Sequence, residues 1–205
     1  MDGSLIGLIG AFCTGVAGPL VVAYVKHRLE LQKKPGDMVR EAIEVSNLIT
    51  TKIEHIKEEF HADRVWVAQF HNGGHFYPTG KSIAKFSIFY ETVKNGTSSI
   101  QANFQNIPVN IFSKSINHLL DNDCIEIADL KDEKIATYGL KYVCEEAGDK
   151  SVYMFAIKTI DEKFIGTLGI AYTKKKTKLD DEAVNDIINQ ASSMGGVLMN
   201  HLQQK

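Results

Sequence analysis

The chain has 205 residues, a formal net charge of −2 and three cysteines. That length suits one soluble domain with a short appendage, and such a domain buries a core without disulfide staples. The near-neutral balance excludes a basic field that recruits nucleic acid, and three cysteines without CxxC or Cys/His spacing exclude a disulfide scaffold and argue against structural zinc.

Leu5 to Val25 carries no charged residue. At about 1.5 Å per residue, a helix over this stretch matches the ~30 Å hydrocarbon core of a bilayer. A signal peptide would need a basic leader, yet only Met1–Ser4 precede the run and Asp2 is the only charge there. Residues 1–26 therefore read as a single transmembrane helix, followed by a linker over 27–37 and a domain over 38–205. Lys26, Arg28, Lys33, Lys34 and Arg40 all follow the span, which predicts a single-pass membrane protein with its domain in the cytoplasm. Gly7, Ala11 and Gly15 recur every four residues. Such a small-residue stripe lets two helices pack closely in lipid, so it predicts a homo-oligomer. Pro19 predicts a kink near the cytoplasmic end.

Pro35-Gly36 marks a joint, and Asp37 caps a helix from Met38 to about Phe60 with near-heptad apolar spacing. That helix packs on its own sheet, on a twin helix, or on both. Arg64–His71 reads as a strand, Asn72-Gly73-Gly74 as a turn, and Lys85–Val93 as a second strand. Ile107–Leu120 reads as a helix, Cys124–Ala128 as a short strand, and Thr137–Glu146 as a short helix that ends at Ala147-Gly148. Ser151–Ile160 and Phe164–Tyr172 form a hairpin, and Lys174, Lys175, Lys176 and Lys178 form a basic loop. Asp180 caps the last helix, with Leu179 and Val184 as a hydrophobic staple. This order predicts an α+β fold, an antiparallel sheet with helices packed on it. Cys124 and Cys144 pair only if the fold brings them together.

The segment Lys150–Leu198 contains a strand, a short turn, a strand with Gly166, Leu168 and Gly169, a polar loop, an acidic cap and an amphipathic helix. This pattern resembles the GAF family and implies a GAF/PAS-like fold. Residues 64–100, with the His71-Asn72-Gly73 motif, are similar to membrane-anchored GAF-like proteins of tailed bacteriophages. A fainter likeness reaches the T holins of T-even-type phages.

GAF domains bind small molecules between the sheet and the helices on one face. The resemblance thus implies a cavity walled by the His71–Tyr77 loop, the strand around Phe86–Tyr90, the helix from Ile107 and the helix around Tyr138–Tyr142. Its polar groups would be His71, Asn72, His75, Tyr77, Tyr90 and Asn110, with Gly73 and Gly74 offering backbone N–H groups beside Lys81. His71 and His75 lack a third ligand nearby, so no metal and no cofactor is predicted. No nucleophile motif supports catalysis. The sequence therefore predicts a membrane-anchored, non-enzymatic regulatory domain, phage-encoded and dimeric, that binds a small ligand or a protein partner. The alternative is a holin-like lysis protein whose span oligomerises in the bilayer.

Overall fold

The computed structural model describes residues 15, 17–32, 38–75, 78–132 and 139–203. The chain divides into two compact units, Met1–Glu41 and Ala42–Lys205. In the first, helix α1 spans Gly18–Gln32. It runs past Val25 through the first six residues of the predicted linker. Its side chains Leu20, Val21, Val22, Tyr24 and Val25 are all exposed. Residues 1–14 and 16, including Gly7 and Ala11, lie outside the described residues, as does most of the predicted span. Gly15 is exposed, and a Cβ added to it meets nothing within 4 Å. Among the described residues no helix is long and apolar enough to cross a membrane.

Helix α2 spans Met38–Glu59. The sheet follows, with β1 Arg64–His75, β2 Ser82–Val93, β3 Ile107–Pro108, β4 Cys124–Ile127, β5 Ser151–Lys158 and β6 Phe164–Tyr172. Helices α3 (Ser113–Asn122) and α4 (Lys141–Glu146) lie between strands in sequence, and α5 (Asp181–Gln203) closes the chain. The strand order is β3-β2-β1-β6-β5-β4, antiparallel throughout.

Strand alternation builds two cores. Val65 and Val67 of β1, Tyr153, Phe155 and Ile157 of β5, and Leu168 and Ile170 of β6 turn to one face. There they meet Ile49, Ile53 and Ile56 of α2 and Val184, Ile187, Ala191, Met194 and Leu198 of α5. Both helices repeat their buried positions at alternating steps of three and four, which lays one stripe on the sheet. The neighbouring positions Trp66, Ala68, Val152 and Ala171 turn the other way, under α3 and α4. The central strands are buried on both faces, which is why they read as continuous apolar runs. The start of α5 is built as its sequence predicts: Ala183 N donates to Asp180 Oδ1 at 2.9 Å, and Leu179 and Val184 are both buried.

Three elements differ from the sequence expectation. Strand β1 does not stop at His71: it passes through Asn72-Gly73-Gly74 to pair His75 with Ser82, with a register shift between Asn72 and His75. The glycines mark an irregular strand end, where Gly74 takes φ of +93° and Gly73 lies against the stem of Lys85. The predicted helix from Ile107 begins instead as a two-residue strand and a 3-10 turn, Val109–Phe112, and becomes α-helical at Ser113. Pro108 fixes an extended entry at φ −61° and ψ 130°. The predicted helix from Thr137 is helical only from Lys141, and residues 133–138 lie outside the described residues.

Candidate functional site

The face of the sheet under α3 and α4 is not fully packed. A cavity of about 70 Å³ lies there. Trp66 and Ala68 of β1 and Phe86 and Ile88 of β2 form its sheet side, with Met154 of β5 and Thr167 of β6. Phe112, Ser115 and Ile116 close it at the start of α3, and Leu140, Val143 and Cys144 close it at α4. A water needs about 10–15 Å³ of such space, so the cavity takes a handful of waters or one small ring. Its walls are almost wholly apolar, and among the described residues Asp149 is the only charged one in them.

Asp149 belongs to a buried charge network. Arg64, the first residue of β1, is fully buried. Its Nη1 donates to Asp149 Oδ1 at 2.7 Å, its Nη2 to Ser98 O at 2.7 Å and Ala147 O at 3.2 Å, and its Nε to Ser98 O at 3.1 Å. Glu91 Oε1 lies 3.6 Å from Nε. Glu91 is well solvated by the protein: Ile100 N donates to it at 2.9 Å, Gln101 N at 3.2 Å, and the Ser99 hydroxyl also donates. Asp149 is held on its side chain by Arg64. Burial pushes its carboxyl up to about 6, against the pull of the guanidinium. One guanidinium thus faces two carboxylates that are almost fully enclosed. None of these three residues belongs to a recognisable motif. Arg64 reads as a strand opener, Glu91 as the polar face of β2, and Asp149 as the residue after a helix stop.

The predicted site residues are dispersed. His71 is half-buried at the far end of β1, with Nε2 2.9 Å from Ser87 Oγ and Nδ1 3.3 Å from Asn72 O. Asn72, His75 and Asn110 are exposed, and Gly73 is half-buried against Lys85. Tyr90 packs against the opposite core, beside α2 and α5. Tyr77 lies outside the described residues. None of the six described residues lines the cavity, whereas Phe86, Ser115 and Ile116 of the predicted walls do. The reason is strand parity: Phe86 and Ile88 face the cavity, so Ser87 and Tyr90 face away once the bulge is counted. Among the described residues no group of three or more His, Cys, Asp or Glu is placed to hold a metal.

Both described cysteines are free thiols. Cys144 packs in the core under α4 and Cys124 against the opposite core, so the sheet separates them. Burial pushes the Cys144 thiol up to about 12 and raises that of Cys124, so both are poor nucleophiles.

No family model matches this sequence. No curated protein matches it either. Solved structures do match in fold. A far-red cyanobacteriochrome photoreceptor superposes with a TM-score of 0.63 at 13% identity, over 91% of this chain and 99% of that one. The PixJ GAF domain of Thermosynechococcus elongatus gives 0.62 at 15%, over 80% and 91%. The phycocyanobilin-bound GAF domain of a cyanobacterial phytochrome gives 0.58 at 20%, over 81% and 91%. A bilin does not fit this chain as folded, because a cavity of about 70 Å³ falls well short of the ~300–1,000 Å³ of ordinary ligand pockets. At these identities the likeness establishes architecture, and by it the chain carries a domain of the GAF fold.

Proposed function

We propose that this protein is a membrane-tethered sensory module whose GAF-fold domain binds a small ligand and passes the event to a partner or to a second copy of itself. The observation that carries the reading is the apolar cavity beneath α3 and α4, with the buried Asp149 at its wall. The central strands form both the floor of that cavity and the seat of α2 and α5. A ligand that shifts Trp66 or Ala68 therefore moves the same strand that carries Val65 and Val67 beneath α2 and α5. The solved neighbours bound to biliverdin or phycocyanobilin show GAF-fold domains holding ligands. The tether rests on the uncharged run Leu5–Val25 and on the exposed apolar side chains of α1. Self-association rests on the small-residue stripe of the span and on Val39 and Ile43, which are exposed one turn apart on α2. Phage origin, and the alternative role of a lysis protein, rest on the sequence resemblance. Expression of a lysis protein collapses the membrane potential of its host, whereas a sensor is tolerated.

Trp66 is the only tryptophan in the chain and lines the cavity. Titrating the full chain, held in detergent, with small aromatic fragments is expected to shift Trp66 emission saturably. The variant Ala147→Leu, which adds methyl groups at the cavity wall, is expected to abolish the shift while the fold is kept. A library without any saturable shift, or shifts that survive Ala147→Leu, contradicts the ligand reading. For sidedness the native thiols are poor reporters, since Cys144 is buried and both thiols are raised. Ile160 is 96% exposed. An impermeant reagent is expected to spare Ile160→Cys in intact cells and label it after lysis, and labelling from outside overturns the cytoplasmic placement.

A further inference from the structure

The ligand-binding reading above leaves the ligand's chemistry open, and the surface of the cavity narrows it. Five aromatic side chains line it: Trp66 and Phe70 of β1, Phe86 of β2, and Phe104 and Phe112 from the segment after β2. The thioether of Met154 on β5 joins them. Polar atoms supply only a small part of the surface that a ligand meets. Asp149 does not change this. Its Oδ1 is held by Arg64 at 2.7 Å, and the residue also borders a more polar pocket with Lys131, Lys150 and Lys176. Ser115 is likewise engaged within the fold. Among the described residues the buried side-chain oxygens without a partner are Thr97 Oγ1 and Thr177 Oγ1, and neither residue lines the cavity. A polar group brought into such a space exchanges its bonds to water for contacts with carbon, which is unfavourable. Apolar surface gains from the same transfer.

We propose that the cavity takes an uncharged, apolar molecule the size of one small ring, without a hydrogen-bond donor or acceptor. This rests on the ligand-binding reading and names the class of ligand. Affinity comes from apolar area removed from water and from contact with the aromatic rings and the Met154 thioether. Selectivity comes from what the wall withholds. A ring nitrogen that is well hydrated in solution loses that hydration against a carbon surface, so polar rings of the same size are disfavoured. Carboxylates and phosphates are excluded more strongly, because a full charge costs far more to bury than a dipole. The cavity of about 70 Å³ limits the ligand to a single small ring.

Two pairs of rings test the class, because each pair keeps the size and changes the polarity. Pyridine replaces one C–H of benzene with an acceptor, and pyrrole replaces the sulfur of thiophene with an N–H donor. Trp66 emission of the full chain in detergent at neutral pH reads the saturable binding of each, and Ala147→Leu serves as the blank for partition into detergent. Benzene is expected to bind roughly tenfold or more tightly than pyridine, and thiophene than pyrrole by a similar factor. Saturable binding of both apolar rings is expected to be lost in Ala147→Leu, and independently in Ile116→Phe, which fills the cavity from α3, while a cooperative melt is kept. Pyridine that binds as tightly as benzene, or pyrrole as tightly as thiophene, overturns the apolar class but leaves a ligand cavity standing. Binding of none of the four rings overturns the cavity reading itself. Apolar rings that still bind saturably in both filled variants have their site elsewhere, which overturns the proposal.

Discussion

Arg64→Met is expected to destabilise the domain by about 3–5 kcal/mol, the cost of leaving buried charge unpaired. Arg64 is fully buried, and its removal takes the guanidinium from both Asp149 and Glu91. It also strands the carbonyls of Ser98 and Ala147, which fix the loop after β2 and the end of α4. A domain of this size is stable by about 5–15 kcal/mol, so the loss is a large share of the whole. Urea unfolding of the full chain, followed by Trp66 emission, measures it. Combining Arg64→Met with Asp149→Asn and Glu91→Gln is expected to recover much of the loss, because neutral amides cost far less to bury than carboxylates. A single variant as stable as the parent would mean that water or a rearranged loop solvates the two acids.

Two adjacent glycines of α5 are expected to respond with opposite signs. A Cβ on Gly195 falls 1.9 Å from Lys158 O, a backbone atom of β5 that no rotamer change moves. Gly195→Ala must lift α5 from the sheet at the point where Met194 and Leu198 enter the core, at a cost of about 3 kcal/mol. A Cβ on Gly196 meets nothing within 4 Å. Gly196→Ala is therefore expected to stabilise by about 0.5–1 kcal/mol through helix propensity alone. Thermal melts of the two variants against the parent read both signs at once. Equal effects would mean that α5 does not make the close approach to β5. The same geometry explains Gly166, where a Cβ falls 2.2 Å from Ala68 O, and Gly169, where it overlaps the Trp66 ring at 2.1 Å.

These glycines also show what the sequence makes legible. Of the residues that carry the family resemblance, Gly166 and Gly169 are glycines because the backbone of β1 and the Trp66 ring leave no room for a side chain, and Leu168 fills the opposite core. The pattern records a steric requirement, and the α+β GAF fold follows from it. Strand β6 has its predicted bounds, and α2 and β5 end within two residues of theirs. Their apolar periodicity is long, and each is clamped by the sheet. The misplaced elements are short and irregular, where one proline or an edge glycine decides the outcome.

The site was far less legible. The His71-Asn72-Gly73 motif attracts notice because of its residue types, but strand parity and the bulge after Val67 turn its neighbours away from the cavity. The residues at the cavity look like ordinary core: Trp66, Ala68, Phe86 and Met154. Arg64 and Asp149 are 85 positions apart and meet only through the fold. A charged residue opening an otherwise apolar strand is the single local trace of their pairing.

The account stands on the cavity beneath α3 and α4 being an empty space that small molecules reach. Xenon measures this most directly, because it enters dry apolar cavities without needing any polar contact. Xenon-129 NMR of the full chain in detergent is expected to show a saturable shift with protein concentration, beyond that of detergent alone, and Ala147→Leu is expected to remove it. A shift that is absent, or that is equal in the parent and in Ala147→Leu, would contradict the cavity and every binding role assigned to it.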